Sequence, residues 1–207
     1  MPAAPPTRLT ARQTADHYDL IADQFMADRS PTIGLNYIAR FSELLPPPAT
    51  VLDVGCGTGL PIAKWLADIG FTVHGVDLSA KMLSLAKKNV EEAAFFVADI
   101  VTWKAPRQYH GIIGWDSIFH LTVDDQVKAL GNIVAMLFPK GVALITCGVQ
   151  QGEVGSVMFG QEFYYSSPSL PGYIALIEKS GCTVLFSEVD DSTGGGHAVI
   201  CFQKYSE

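Results

Sequence analysis

Val51-Leu52-Asp53-Val54-Gly55-Cys56-Gly57-Thr58-Gly59-Leu60-Pro61 decides the fold. The stretch starts as a run of strand-forming apolar residues and then breaks into glycine at every second position. Past Pro61 the pattern turns helical, with Ile62, Ala63, Trp65, Leu66 and Ile69 recurring at spacings of about 3.6. The order is therefore strand, tight glycine turn, helix. Glycine serves where φ turns positive, or where backbone must approach a ligand with no Cβ in the way. Such a turn points the unpaired N–H groups of a helix start at whatever lies above it. At the end of a buried strand, this is where open α/β sheets bind ligands.

The dinucleotide fingerprint G-x-G-x-x-G does not fit, because Leu60 stands where its third glycine belongs and Gly59 comes one residue early. Asp53 also precedes the turn by two positions. A carboxylate there repels a pyrophosphate but attracts a cation or accepts hydrogen bonds. The acid-x-G-x-G-x-G arrangement resembles motif I of class I S-adenosylmethionine (SAM)-dependent methyltransferases. SAM carries a sulfonium and an ammonium, so an acidic turn suits it. A glycine-rich connection with no ligand is the plainer alternative.

The chain has 207 residues, 48% hydrophobic and 17% charged, with a net charge of −7. That describes a globular chain, most simply a single domain over 10–207 behind a mobile tail over 1–9. The charge argues against a nucleic-acid partner, which needs clustered Lys and Arg, and fits a cytoplasmic location. Cys56, Cys147, Cys182 and Cys201 form no C-x-x-C pair and read as reduced, small, mostly buried side chains. No run of about 20 apolar residues is present, so no membrane span is expected.

Thr10 to about Met26 carries an i, i+3, i+4 stripe of Ala15, Tyr18, Ile21, Ala22 and Phe25, behind a capping Thr10. Ser30-Pro31 predicts a second helix to about Leu45, and these two helices form a cap over 10–45. Strands are expected at Val51–Val54, Phe71–Val76, Phe95–Ala98, Gly111–Trp115 and Val142–Thr146. Helices capped by Ser79 and Thr122 lie among them, the second running to about Phe138. This alternation implies a doubly wound parallel sheet with right-handed crossovers. Gly148 to about Ser169 reads as a long irregular loop on the substrate side (148–170). A short helix over Tyr173–Ser180 follows, then strands Thr183–Val189 and His197–Gln203 joined by a glycine-rich turn. This ending resembles the seven-stranded, Rossmann-like methyltransferase sheet, whose last strand runs antiparallel.

Asp77 closes the second strand, where a carboxylate accepts both hydroxyls of a ribose. That role serves NAD and SAM alike. By resemblance Asp99 meets the adenine amino group and the Ile100 amide a ring nitrogen, with Leu78 and Met82 flanking ribose and adenine. The resemblance adds Tyr18, Asp53, Gly55, Cys56, Gly57, Gly59 and Trp115 to the cofactor side. Tyr18-Asp19-x-Ile21-Ala22 resembles the first helix of small-molecule methyltransferases, which folds over the cofactor. The Asn/Asp-Pro-Pro-aromatic motif of base methylation is absent at Trp115-Asp116-Ser117. Asp116-Ser117-x-Phe119-His120-Leu121, Phe163-Tyr164-x-Ser166 and Gly195-Gly196-His197 resemble counterparts in a group of small-molecule methyltransferases. They put Asp116, Phe119, Phe163 and Tyr164 beside the acceptor.

Methyl transfer is an in-line displacement in which orientation supplies roughly 7–11 kcal/mol. A base adds about 10²–10⁴-fold when the nucleophile must lose a proton. His120 and His197 are the candidate bases, each of which also reads, and more simply, as a satisfied structural histidine. No spacing supports a metal. The reading is a SAM-dependent methyltransferase acting on a small-molecule acceptor. An NAD-dependent oxidoreductase and a non-catalytic SAM-binding module remain alternatives.

Overall fold

The computed structural model describes residues 6–190 and 196–206. The start of the expected tail (1–5) and the linker 191–195, Gly195 included, lie outside the described residues. The elements run α1 (Ala11–Asp28), α2 (Leu35–Ser42), β1 (Thr50–Val54), α3 (Ile62–Asp68), β2 (Thr72–Asp77), α4 (Ala80–Asn89), β3 (Ala94–Val97) and β4 (Tyr109–Gly114). A 3₁₀ turn (Ile118–His120) leads to α5 (Val123–Met136), β5 (Leu137–Cys147), β6 (Gly152–Met158), β7 (Gln161–Ser167), α6 (Leu170–Lys179), β8 (Cys182–Asp190) and β9 (His197–Lys204).

Seven strands form one sheet in the order β3-β2-β1-β4-β5-β9-β8. β2, β1, β4 and β5 pair parallel, β3 joins β2 the same way, and β9 inserts antiparallel between β5 and β8. The sheet is thus the doubly wound, mostly parallel one that the βα alternation implies. The period of two along the strands sorts the core into two layers. Leu52, Ile112, Ala143 and Ile145 pack with Leu130 and Ile133 of α5 and Tyr173 and Ile177 of α6. Val51, Ile113, Val142 and Leu144 pack with Ile38 and Phe41 of α2 and Ile62 and Leu66 of α3. Strands covered on both faces need apolar residues at every position, which is why β1 and β4 read as continuous apolar runs.

The caps at Thr10, Ser79 and Thr122 form as expected, each side chain accepting from a backbone amide three residues on. Other expectations are corrected. Ser30-Pro31 opens a turn, not a helix. α2 starts after Gly34, where a Cβ would lie 2.6 Å from the Trp115 indole. α5 stops at Met136 and passes directly into β5. The stretch expected as an irregular loop over 148–170 is a hairpin, β6 paired antiparallel with β7. Of the expected tail, Arg8 donates two hydrogen bonds to Glu153 of that hairpin, and Leu9 is buried. α6 starts at Leu170, earlier than expected, because Ser169 caps it. Among the described residues no helix is long and apolar enough to cross a membrane.

Buried Gln126 ties the hairpin to the sheet. Its Nε2 donates to the carbonyls of Leu121 (2.9 Å) and Ser166 (2.7 Å), and its Oε1 accepts from the Tyr173 hydroxyl (2.7 Å). One side chain so joins α5, the 3₁₀ turn, β7 and α6. Gln126→Leu leaves the Tyr173 hydroxyl buried without its acceptor and strips one donor each from the Leu121 and Ser166 carbonyls, and should destabilise the protein by on the order of 3 kcal/mol. Urea unfolding followed by circular dichroism measures the loss.

Candidate active site

At the carboxyl end of β1 the chain turns through Gly55, Gly57 and Gly59, all with positive φ. Backbone contacts to β2 fix the turn. The Gly55 and Cys56 amides both donate to the Val76 carbonyl, at 2.7 and 3.2 Å. The Gly57 amide donates to Asp77 Oδ2 at 2.9 Å, and Asp77 Oδ1 accepts from the Ser79 amide at 2.8 Å. A Cβ on Gly55 would fall 2.3 Å from Ser117 Cβ, whereas a Cβ on Gly57 would meet nothing within 4 Å. Gly55 is needed for packing, and Gly57 presents bare backbone to open space.

That space is a cleft of about 1030 Å³, its mouth included. Its floor is the glycine turn with the ends of β2, β3 and β4. Its roof is α1, pinned by Asp19, which accepts from the Ser79 hydroxyl (2.5 Å) and the Lys81 amide (3.0 Å) at the start of α4. Four carboxylates line it, Asp53, Asp77, Asp99 and Asp116, with Arg29 as the one Lys or Arg among its described lining residues. Burial, reinforced by neighbouring Asp77, pushes Asp53 up to about 7, against the pull of Arg29. Burial also raises Asp77, opposed by the amides of Ser79 and Gly57. The hydroxyls of Thr14, Thr58 and Ser117 and the Trp115 indole nitrogen are buried without a hydrogen-bond partner, and all four residues line the cleft. Buried polar atoms are rarely left unpaired, so their clustering here marks a place built for a polar ligand.

Two polar chains meet above the end of β4. In the first, His120 Nδ1 lies 3.0 Å from the Tyr164 carbonyl and Nε2 lies 2.9 Å from the Tyr18 hydroxyl. A carbonyl only accepts, so Nδ1 carries the proton and Nε2 accepts from Tyr18. Burial pushes His120 down to about 4, outweighing the opposing pulls of the Tyr164 carbonyl and Asp116, so the ring is neutral. In the second, Arg29 donates to Asp116 Oδ2 at 3.1 Å. Behind Asp116, His197 Nδ1 lies 3.2 Å from Oδ1, and its Nε2 lies 3.5 Å from fully buried Asp190. Asp116 itself has a positive φ of 51°.

A methyltransferase-domain family profile matches residues 51–141, from the glycine turn's strand into β5. The chain is 29% identical over 157 residues to the dTDP-3-amino-3,6-dideoxy-alpha-D-glucopyranose N,N-dimethyltransferase of Streptomyces fradiae, covering 74% of this chain and 54% of the relative. A methyltransferase from Streptomyces caelestis superposes with a TM-score of 0.76 at 16% identity, covering 95% of this chain and all of that one. The 1,6-didemethyltoxoflavin-N1-methyltransferase of Burkholderia thailandensis, solved with S-adenosylhomocysteine, superposes with a TM-score of 0.74 at 21% identity, covering 99% of this chain and 92% of that one. The chain is thus similar to methyltransferases over residues 51–141, and it shares the fold of these solved methyltransferases. It spans about half the length of the first curated relatives that it matches, 54% and 56%.

The cleft gathers Tyr18, Asp53, Gly55, Cys56, Gly57, Asp77, Leu78, Met82, Asp99, Ile100, Trp115, Asp116 and His120. It does not gather the rest of the expected set. Gly59 faces α4, where a Cβ would lie 3.1 Å from Val90. Phe163 packs behind Tyr18, with ring centroids 4.7 Å apart, and Phe119 packs against Tyr165. Tyr164 contributes its carbonyl and not its ring. His197 stands behind Asp116, outside the cleft lining. Asp99 uses one oxygen to accept from the Val101 amide. Sequence reasoning missed Arg29, Thr14, Thr58 and Ser117. A signal for Arg29 was present, because it continues the Tyr18–Phe25 face of α1 by one more turn.

Asp53 gives a pH test. Its folded pKa, about 7, lies above the ordinary 3.8. The protonated form therefore stabilises the fold fully below about pH 4, and this contribution is lost as pH rises through about 7. In the ligand-free protein, Asp53→Asn should raise Tm over the native chain at pH 8 and leave the two alike at pH 4, as thermal unfolding scans will show.

Proposed function

We propose that this protein transfers the S-methyl group of SAM to an amine nitrogen of a small organic acceptor, releasing S-adenosylhomocysteine. The observation that carries the reading is the glycine turn bound through the Gly57 amide to Asp77, with Gly57 open to a cleft of carboxylates and unpaired buried polar atoms. The residues present fit the cofactor. Asp77 would accept from the ribose hydroxyls and Asp99 from the adenine amine. Leu78, Met82 and Ile100 line the apolar flanks, and Asp53 offers a negative charge where an ammonium needs one. When bound, SAM supplies a methyl group activated by the positive sulfur.

The acceptor class follows from the Tyr18–His120 pair. Tyr18 spends its proton on His120 Nε2, so its oxygen offers only lone pairs to the cleft. Lone pairs receive an N–H and orient a neutral amine. A histidine near pKa 4 is a weak base, ill matched to a hydroxyl that must be deprotonated to react. An amine needs no base before the carbon–nitrogen bond forms. The Streptomyces fradiae relative, named as an N,N-dimethyltransferase of an amino sugar, supports the same reading.

Calorimetry with S-adenosylhomocysteine tests the cofactor half. Binding is expected, and Asp77→Asn should weaken it by about 10–100-fold, the value of a charge-assisted hydrogen bond or two. Labelled SAM offered with matched panels of amines and alcohols tests the acceptor half. Amines should take the label, and Tyr18→Phe should lower kcat/KM by about tenfold or more. Transfer to alcohols alone would overturn the amine assignment, and S-adenosylhomocysteine binding with no transfer to any acceptor would leave a cofactor-binding module.

A further inference from the structure

We propose that Arg29 receives the carboxylate of the cofactor's amino-acid portion and, in doing so, gives up Asp116 to the acceptor. This rests on the methyltransferase reading and adds a coupling between its two subsites. SAM brings a carboxylate into a cleft already lined by four aspartates, and an unpaired anion there is costly. Among the described lining residues Arg29 is the one Lys or Arg that could meet it.

Its placement suits the task. Arg29 lies over the Phe25 ring, 5.4 Å from the centroid, and is four-fifths buried. It reaches Asp116 with one nitrogen at 3.1 Å. It lines the same cleft as Gly55 and Gly57 of the glycine turn and Asp116 at the end of β4. A guanidinium has five N–H donors, enough to change partner without being stranded. His197 Nδ1 stands 3.2 Å from Asp116 Oδ1, which is buried without a hydrogen-bond partner and so has lone pairs free. In the ligand-free protein the acceptor-side carboxylate is therefore held by the residue the cofactor needs. A cofactor carboxylate competes for Arg29 and leaves Asp116 an acceptor for the N–H of the incoming amine. Binding becomes ordered, cofactor before acceptor.

Calorimetry on the full chain decides, using S-adenosylhomocysteine and its decarboxylated analogue S-adenosyl-3-thiopropylamine. The native protein should prefer the carboxylate-bearing ligand. Arg29→Ala should weaken that ligand by about 10–100-fold while leaving the analogue unchanged, and Arg29→Lys should recover part of the loss. Asp116→Asn, which removes the competitor, should tighten S-adenosylhomocysteine a few-fold. If Arg29 is only a strut for Asp116, Arg29→Ala weakens both ligands equally and Asp116→Asn weakens rather than tightens; either result overturns the proposal while the methyltransferase reading stands. Failure of the native protein to bind either ligand overturns both.

Discussion

The site depends on a handful of amide hydrogens that cross from the glycine turn to the end of β2. Two go to the Val76 carbonyl, and one goes to the Asp77 carboxylate, which also takes the amide that starts α4. The turn's positive-φ backbone has no regular structure of its own to satisfy these donors. The neighbouring strand supplies the acceptors, and the parallel β1–β2 pairing sets its register. The floor of the cleft is thus as rigid as the sheet beneath it, while a carboxylate stays at its rim with lone pairs to spare.

On that floor the protein sets charges of one sign and places a single guanidinium against them. Burial and neighbouring Asp77 raise Asp53, and Arg29 opposes them. A cleft so acidic favours a cationic ligand and disfavours a diphosphate, as the spacing of the glycines already implied. The roof behaves differently from the floor. Beside its buried Ala15, Ile21 and Ala22, α1 meets the rest through polar side chains, with Asp19 on the start of α4, His17 on the Glu162 carbonyl and Tyr18 on His120. Such contacts come apart more readily than apolar packing, which suits an element that must admit a ligand.

What the sequence disclosed follows the range of the interactions. The strand–turn–helix of motif I, the caps at Thr10, Ser79 and Thr122, and the apolar strands are set by neighbours in sequence, and they were legible. The hairpin was not, because β6 is exposed along nearly its whole length and lacks the in–out alternation that reveals a half-buried strand. Phe159-Gly160, both with positive φ, is its turn, and only the glycine hinted at it. Helix α2 was placed too early because the indole that dictates Gly34 arrives from β4. Arg29 with Asp116, and Asp116 with His197, join residues far apart in the chain. No local pattern announces them until the β5–β9 pairing sets His197 beside the end of β4.

The proton on His120 Nδ1 is fixed by a main-chain carbonyl of β7, while the hairpin's Phe163 and Tyr165 rings pack against the imidazole. A carbonyl is common to all twenty residues. The hairpin can therefore change its side chains over evolutionary time, or be diversified in a library, without disturbing the tautomer of the ring it holds. Away from Phe163 and Tyr165, which touch the ring, drift in the hairpin leaves that proton arrangement alone, and descendants with different tastes in acceptor could share it.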